Sequence, residues 1–331
     1  MIATWRPTVA RPVGRGVVGA TFLLCLAHCS RALSGNAPPG AAVGSAAPVA
    51  PVPSAQLIAT DGLAALFAGR DSDVSVIDAR NDYTLYLESH VPRAVYLNTE
   101  ELRASDRGVP NKVLGVSSYA ALFSRLGLRA DRPVVIYSAG ETRNIDATYV
   151  AWILAGLGVP SVYVLDGGFG KWTLENRPVT RHYPVIEPTA FAPSAFTPDR
   201  AAREDVQAAL RGSLVVIVDA RTPEQYAGRA GAQLRRGHVP GAINHFWQGD
   251  LVKADFAMVW RRRAELRASY VAQGITPDKS IIAYCNGGLE SSHVYFALHN
   301  LLGYPHVRVY DGSFTEWSER TELPVAVGER P

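Results

Sequence analysis

The residue best placed to do chemistry in this chain is Cys285. It stands in Tyr284-Cys285-Asn286-Gly287-Gly288-Leu289-Glu290-Ser291, directly after the apolar run Ile281–Tyr284. A helical pattern follows over Ser292–Leu302, with apolar residues at Val294, Ala297, Leu298, Leu301 and Leu302. Paired glycines let the backbone turn with successive N–H groups pointing inward. A helix start adds unpaired N–H groups and a partial positive charge. Such a nest holds anions, and it would also hold a thiolate. An ordinary thiol near ~8.5 is only a few per cent ionised at neutral pH. Lowering it to ~6.5 would make a ready nucleophile. The alternative is a small buried hydrophobe at a strand end, a common place for free Cys. Spacing alone leaves both open.

The other two cysteines, Cys25 and Cys29, fall in a segment that reads as a targeting signal. Residues 1–15 carry Arg6, Arg11 and Arg15 and no acid, and Gly16 to Ala27 is an uncharged run of 12. The run is too short to span a bilayer but suits the apolar part of a secretory signal. Small residues around Ala32-Leu33-Ser34 then offer a cleavage site, so residues 1–34 are expected to be removed and the protein exported, to the periplasm or another extracytoplasmic compartment. Leu26-Ala27-His28-Cys29 resembles a bacterial lipobox, with His28 where a small residue belongs, so lipidation at Cys29 and a membrane tether form the second option. Residues 35–54 read as an Ala/Pro/Gly linker. After cleavage Cys285 is the one cysteine left, a thiol without a disulfide partner in its own chain.

The elements that position Cys285 occur twice. Asp78-Ala79-Arg80 ends one apolar run and Asp219-Ala220-Arg221 another; His90-Val91-Pro92 matches His238-Val239-Pro240; Val134–Tyr137 matches Ile281–Tyr284; Asp166-Gly167-Gly168 with Trp172 matches Asp311-Gly312-Ser313 with Trp317. The landmarks keep one order and lie 141 to 148 residues apart. We read two homologous domains, 55–180 and 201–328, joined by a Pro-rich linker at 181–200. Short β-branched runs such as Val215–Val218 alternate with helical patterns such as Ala264–Gln273, which predicts an α/β fold in which each domain is a parallel sheet flanked by helices. Ligands bind such sheets at the carboxyl ends of the strands, where Cys285 lies. The first domain has Ser138 at the equivalent place.

Composition fits this reading. Of 331 residues, 19% are charged and 47% hydrophobic, a globular balance that excludes a disordered chain, a coiled coil and collagen. Lys plus Arg is 33 against 30 Asp plus Glu; a net charge of +3 gives no reason to expect nucleic acid as a partner. Three cysteines without a CxxC pair exclude a disulfide scaffold and give no sign of structural zinc.

Together the landmarks resemble the tandem-domain rhodaneses, the thiosulfate and 3-mercaptopyruvate sulfurtransferases, over roughly residues 55–328. The family pattern is an Asp-x-Arg strand end, a His-Val-Pro segment, a strand–loop–helix and Asp-Gly-Gly-x-x-x-Trp, with the nucleophile in the second domain only. Cys285 and Ser138 follow that division, and Cys285–Glu290 fits the six-residue active loop with Gly288 at its shared glycine. The resemblance implies sulfur transfer from a small donor, thiosulfate or 3-mercaptopyruvate, to cyanide or a thiol through a persulfide on Cys285, with no cofactor or metal. Asn286, Gly287, Gly288, Leu289, Glu290 and Ser291 would form the anion-binding loop. Three positions depart from the thiosulfate-type pattern: Gly287 replaces a loop Lys, Gln225 replaces an Arg before Tyr226, and Glu290 replaces Thr, Ser or Arg. A carboxylate at 290 either raises the thiol and repels an anionic donor or faces outward as a first-turn acid.

Supporting residues also carry expectations. Asp219 and Arg221 pair at the strand end, either orienting the loop or closing the sheet as Asp78 and Arg80 would. Arg235 and Arg236 could supply the charge missing at Gly287, or lie in a solvated loop. His90 and His238 pin turns, His293 is solvated or caps its helix, and Trp172 and Trp317 are core anchors. Two alternatives to an enzyme with small substrates stand beside the main reading. One is a non-catalytic or persulfide-carrier module acting with a protein partner. The other is a cysteine phosphatase, which would need an Arg closing the loop where this chain has Glu290 and Ser291.

Overall fold

A computed structural model describes residues 54–69, 73–140, 144–212 and 214–331. The signal segment, Cys29 and the linker up to residue 53 lie outside the described residues. The first half runs β1 (Gln56–Ile58), α1 (Thr60–Ala68), β2 (Ser75–Asp78), α2 (Tyr83–Glu88), β3 (Ala94–Tyr96), β4 (Arg103–Asp106), β5 (Val109–Val113), α3 (Val116–Arg125), β6 (Val134–Tyr137), α4 (Ile145–Gly156), β7 (Val162–Leu165) and α5 (Gly168–Leu174). The second runs β8 (Arg200–Ala201), α6 (Arg203–Ala209), β9 (Val215–Asp219), α7 (Pro223–Tyr226), β10 (Ile243–Asn244), β11 (Leu251–Ala254), β12 (Ala257–Trp260), α8 (Arg263–Ala272), β13 (Ser280–Tyr284), α9 (Leu289–Tyr295), β14 (Val307–Tyr310) and α10 (Ser313–Glu319).

Each half builds one parallel sheet of five strands, in the orders β1-β7-β6-β2-β3 and β8-β14-β13-β9-β10. The two orders are the same topology repeated, as the duplicated landmarks require. Central strands read as continuous apolar runs because helices cover both faces; all four residues of β6 are buried. The helices that do the covering show spaced apolar residues: Tyr119, Leu122 and Phe123 on α3, Leu266 and Tyr270 on α8. Helix α4 differs, with all twelve residues buried. It packs on its own sheet and against α9 of the other half, where the Thr148 and Ser292 hydroxyls lie 3.4 Å apart. One apolar core therefore runs through both halves.

Two antiparallel hairpins, β4–β5 and β11–β12, cross between the halves. In β5, Lys112 binds Asp311 at 2.9 Å and the Val113 N–H reaches Asp311 at 3.4 Å. In the opposite sense, the Met258 N–H donates to Gly140 O at 2.6 Å and the Trp260 N–H to Asp166 at 3.0 Å. Each domain thus lays a hairpin over the loop end of the other. Period-two reading shows such strands only weakly, because they are short and cover a loop rather than a sheet.

Candidate active site

The strand end before Cys285 is held by an ion pair. Arg221 binds both Asp219 oxygens, its Nη2 donates to Gly237 O at 2.7 Å, and its guanidinium lies 4.0 Å from the Phe314 ring centre. Tyr284, one residue ahead of the cysteine, donates to Asp219 at 2.6 Å. Asp78, Arg80, Tyr137 and Phe169 repeat this in the first domain, where Ser138 holds the cysteine position. A device built identically beside a serine is structural: the pair fixes the strand end and does not touch Cys285.

The loop then turns over the thiol. Gly288 takes φ +100°, a conformation costly for a side chain, and from there its N–H points at Cys285 Sγ at 3.1 Å. The Ser291 hydroxyl lies 3.6 Å from Sγ and 3.1 Å from Gly288 O, so its one proton has two acceptors. Helix α9 starts at Leu289, three residues before the sequence pattern put it, and passes into a π-helical stretch at Phe296–Leu301. Ser313 anchors the cysteine backbone: its oxygen accepts from the Cys285 N–H at 3.1 Å while its hydroxyl donates to Tyr310 O at 2.6 Å. It does so at φ +52°, strained for a serine, where the first domain has Gly168 at φ +54°. The sequence reading passed over Ser313, although this Gly-to-Ser difference was visible in it.

The electrostatics run against the expected easy thiolate. Cys285 is 0% exposed. Burial, then the charge and hydrogen bond of Glu290, push its thiol up to about 12, while contacts from Ser291 pull the other way. Glu290 is thus half-buried, and its charge and hydrogen bond reach the sulfur. The nest is present, but it is outweighed by desolvation and a carboxylate.

The cover over Cys285 comes from the first domain. A Cβ on Gly287 would meet the Asn111 side chain at 2.7 Å, so a lysine there, as in thiosulfate-type loops, would require Asn111 to move. Arg103, at the start of β4, donates to Gly287 O at 3.1 Å. Its guanidinium is pulled down by burial, but Glu100, Tyr149 and Cys285 outweigh this and hold it above its ordinary value. On the second domain's side Gln233 donates to Asn286 Oδ1 at 2.9 Å. Sequence reading missed Arg103, Asn111 and Gln233, because a partner reaching in from another element leaves no local spacing.

The remaining candidates fall elsewhere. Arg235 caps the end of α10, donating to the carbonyls of Trp317, Ser318, Arg320 and Leu323, and Arg236 is exposed. Arg235 is thus turned to the end of α10. His90 and His238 stack on Tyr86 and Tyr226 and bond backbone carbonyls, pinning turns. His293 is not solvated: it is fully buried between Trp247 and Trp260, with Asp250 3.8 Å away.

Comparison with known proteins agrees with this architecture. The rhodanese-like domain profile matches residues 61–175 and again 202–320. The sulfur carrier protein TtuD of Thermus thermophilus is 36% identical over 272 residues, 78% of this chain and 93% of its own length. The putative thiosulfate sulfurtransferase SseA of Mycobacterium tuberculosis is 34% identical, covering 78% of this chain and 86% of its own. The 3-mercaptopyruvate sulfurtransferase of Escherichia coli is 30% identical over 77% and 92%. Among solved structures, YnjE shares 26% identity and a TM-score of 0.72, covering 83% of this chain and 69% of that one. EanB bound to ergothioneine, at 22% identity and 0.73, covers 82% and 70% and shares the fold.

Two parallel sheets of one topology, with a family match in each half, place the chain in the rhodanese family, with two rhodanese-like domains in tandem. Its named relatives make it a rhodanese-type sulfurtransferase.

Proposed function

We propose that Cys285 carries the transferred sulfur. Its thiolate attacks the outer sulfur of a small donor. With thiosulfate the S–S bond breaks and sulfite leaves with the electron pair. With 3-mercaptopyruvate the C–S bond breaks, the pair passes to the enolate, and protonation gives pyruvate. Cyanide or a thiol then takes the terminal sulfur of the Cys285 persulfide and returns the thiolate. The observation that carries this reading is the Gly288 N–H held 3.1 Å from Sγ at the carboxyl end of β13. Asn286, Leu289 and Ser291 complete the loop around the reacting sulfur, and Asp219 and Arg221 hold its base. We further propose that the protein acts outside the cytoplasm, after loss of residues 1–34 or tethered through Cys29.

Intact mass after incubation with each donor tests this. A gain of one sulfur, about 32 Da, mapping to Cys285 and lost with cyanide, is expected. No adduct with either donor, on protein whose thiol still alkylates, sinks it. The second reading is a persulfide carrier loaded and unloaded by a protein partner. It is favoured by the buried, pushed-up thiol and by the likeness to a sulfur carrier protein. Sulfur that enters only from a protein-bound persulfide would select it.

A further inference from the structure

Two cations of the first-domain hairpin reach the second domain, Lys112 at the end of β14 and Arg103 at the Cys285 loop, and their commitments differ. Lys112 is engaged by Asp311 at 2.9 Å and Glu316 at 3.4 Å. Arg103 gives Nε to Glu100 at 2.9 Å, Nη2 to the same carboxylate, and Nη1 to Gly287 O at 3.1 Å. A guanidinium has five N–H donors in a fixed fork. Three are used, so two remain without a partner among the described residues. The side chain is 10% exposed, and its charge acts on Cys285. Of the second domain's candidate cations, Arg221 is committed to Asp219, Arg235 to four carbonyls, and Arg236 is exposed.

We propose that Arg103 is a donor-binding residue supplied across the domain boundary, holding the anionic head of the sulfur donor over Cys285, and that with Glu290 it selects donors carrying a single negative charge. The proposal rests on the persulfide reading above. Around the sulfur stand one guanidinium, paired with Glu100 yet with two N–H groups left over, and one carboxylate, Glu290. A monoanion such as a 2-oxo acid offers two oxygens to those two N–H groups while adding only one negative charge beside Glu290. A dianion such as thiosulfate adds a second negative charge against Glu290. Tyr149, the remaining titratable group coupled to both Arg103 and Cys285, is neutral here, its hydroxyl pushed far up by burial.

The test compares alkylation of Cys285 by iodoacetate, an anion, and iodoacetamide, its neutral counterpart, in the full chain, Arg103→Gln and Arg103→Lys. The ratio of the two rates cancels changes in thiolate fraction. It is expected to fall about tenfold or more in Arg103→Gln, the loss of a charged hydrogen-bond partner, and to recover in part in Arg103→Lys. In turnover, 3-mercaptopyruvate is expected to outperform thiosulfate, with the Arg103→Gln loss falling on KM more than on kcat. Glu290→Gln is expected to narrow that preference. An unchanged alkylation ratio in Arg103→Gln overturns the proposal, as does a wild-type preference for thiosulfate. If Arg103→Gln fails to fold, Arg103→Lys against wild type carries the same ratio. Failure of both donors to load Cys285 would sink the persulfide reading, while the alkylation ratio would still decide whether Arg103 attracts an anion.

Discussion

Glu290 and Cys285 set the reactivity of this site between them. Burial raises the thiol first and the carboxylate adds to it, giving a value of about 12, so little thiolate exists at neutral pH in the closed protein. Removing the negative charge while keeping the shape should bring the thiol down. In Glu290→Gln the pH at which Cys285 begins to alkylate is expected to move to lower values. Each unit is worth about tenfold in thiolate, so iodoacetamide labelling at pH 8 should rise roughly tenfold. An unmoved pH–rate profile would assign the shift to burial alone. The lone sulfur itself is tested by Cys285→Ser, which is expected to abolish sulfur loading while leaving the thermal midpoint within a few degrees, since the serine of the first domain fits the same place.

The β4–β5 hairpin lies against the loop that carries the sulfur. Arg103 bonds Gly287 O, and the Asn111 side chain fills the space a side chain at 287 would take. Asn111 itself sits at φ +62°, which glycine adopts without strain. Asn111→Gly is therefore expected to open the cover at little cost in stability and to raise the iodoacetamide rate severalfold; equal rates in the two proteins would show that the way in lies elsewhere. This element also marks the boundary of what the sequence reveals. The parallel strands, the active loop and the Asp–Arg strand ends were legible because each is written in contiguous residues and then written again. The thiol's high pKa was not. Glu290 was visible, but its direction is set by the packing of α9 and the desolvation by a hairpin more than 170 residues earlier. Arg235 misled for a related reason: a cation near a loop in sequence was already claimed by the end of α10.

At the scale of the whole molecule the two domains fold as partners, each hairpin laid on the other's loop. Lys112, nearly buried, ties β5 to Asp311, and Arg200 touches the same carboxylate at 3.1 Å. Lys112→Met strips one of two cations from a buried acid and is expected to cost roughly 3 kcal/mol, seen as one lowered transition in denaturant rather than two separated ones. The core behind α9 gives this interlocked structure a pH limit. His293 lies between Trp247 and Trp260, with neither ring nitrogen hydrogen-bonded to another described residue. Asp250 and His245 are the titratable groups acting on it. Burial, which disfavours the charged ring, outweighs the pull of Asp250 and brings His293 down to about 4. The unfolded chain binds this proton near ~6.5, the folded chain only near 4. Stability from this group is therefore intact above ~6.5 and falls as the pH drops toward 4, by roughly 2 kcal/mol at pH 5. Urea unfolding of wild type and His293→Gln at pH 7 and pH 5 measures it. The variant is expected to be weaker at pH 7, because it loses the aromatic sandwich, yet to lose less between the two pH values. Equal pH slopes in the two proteins would move the acid sensitivity to another group.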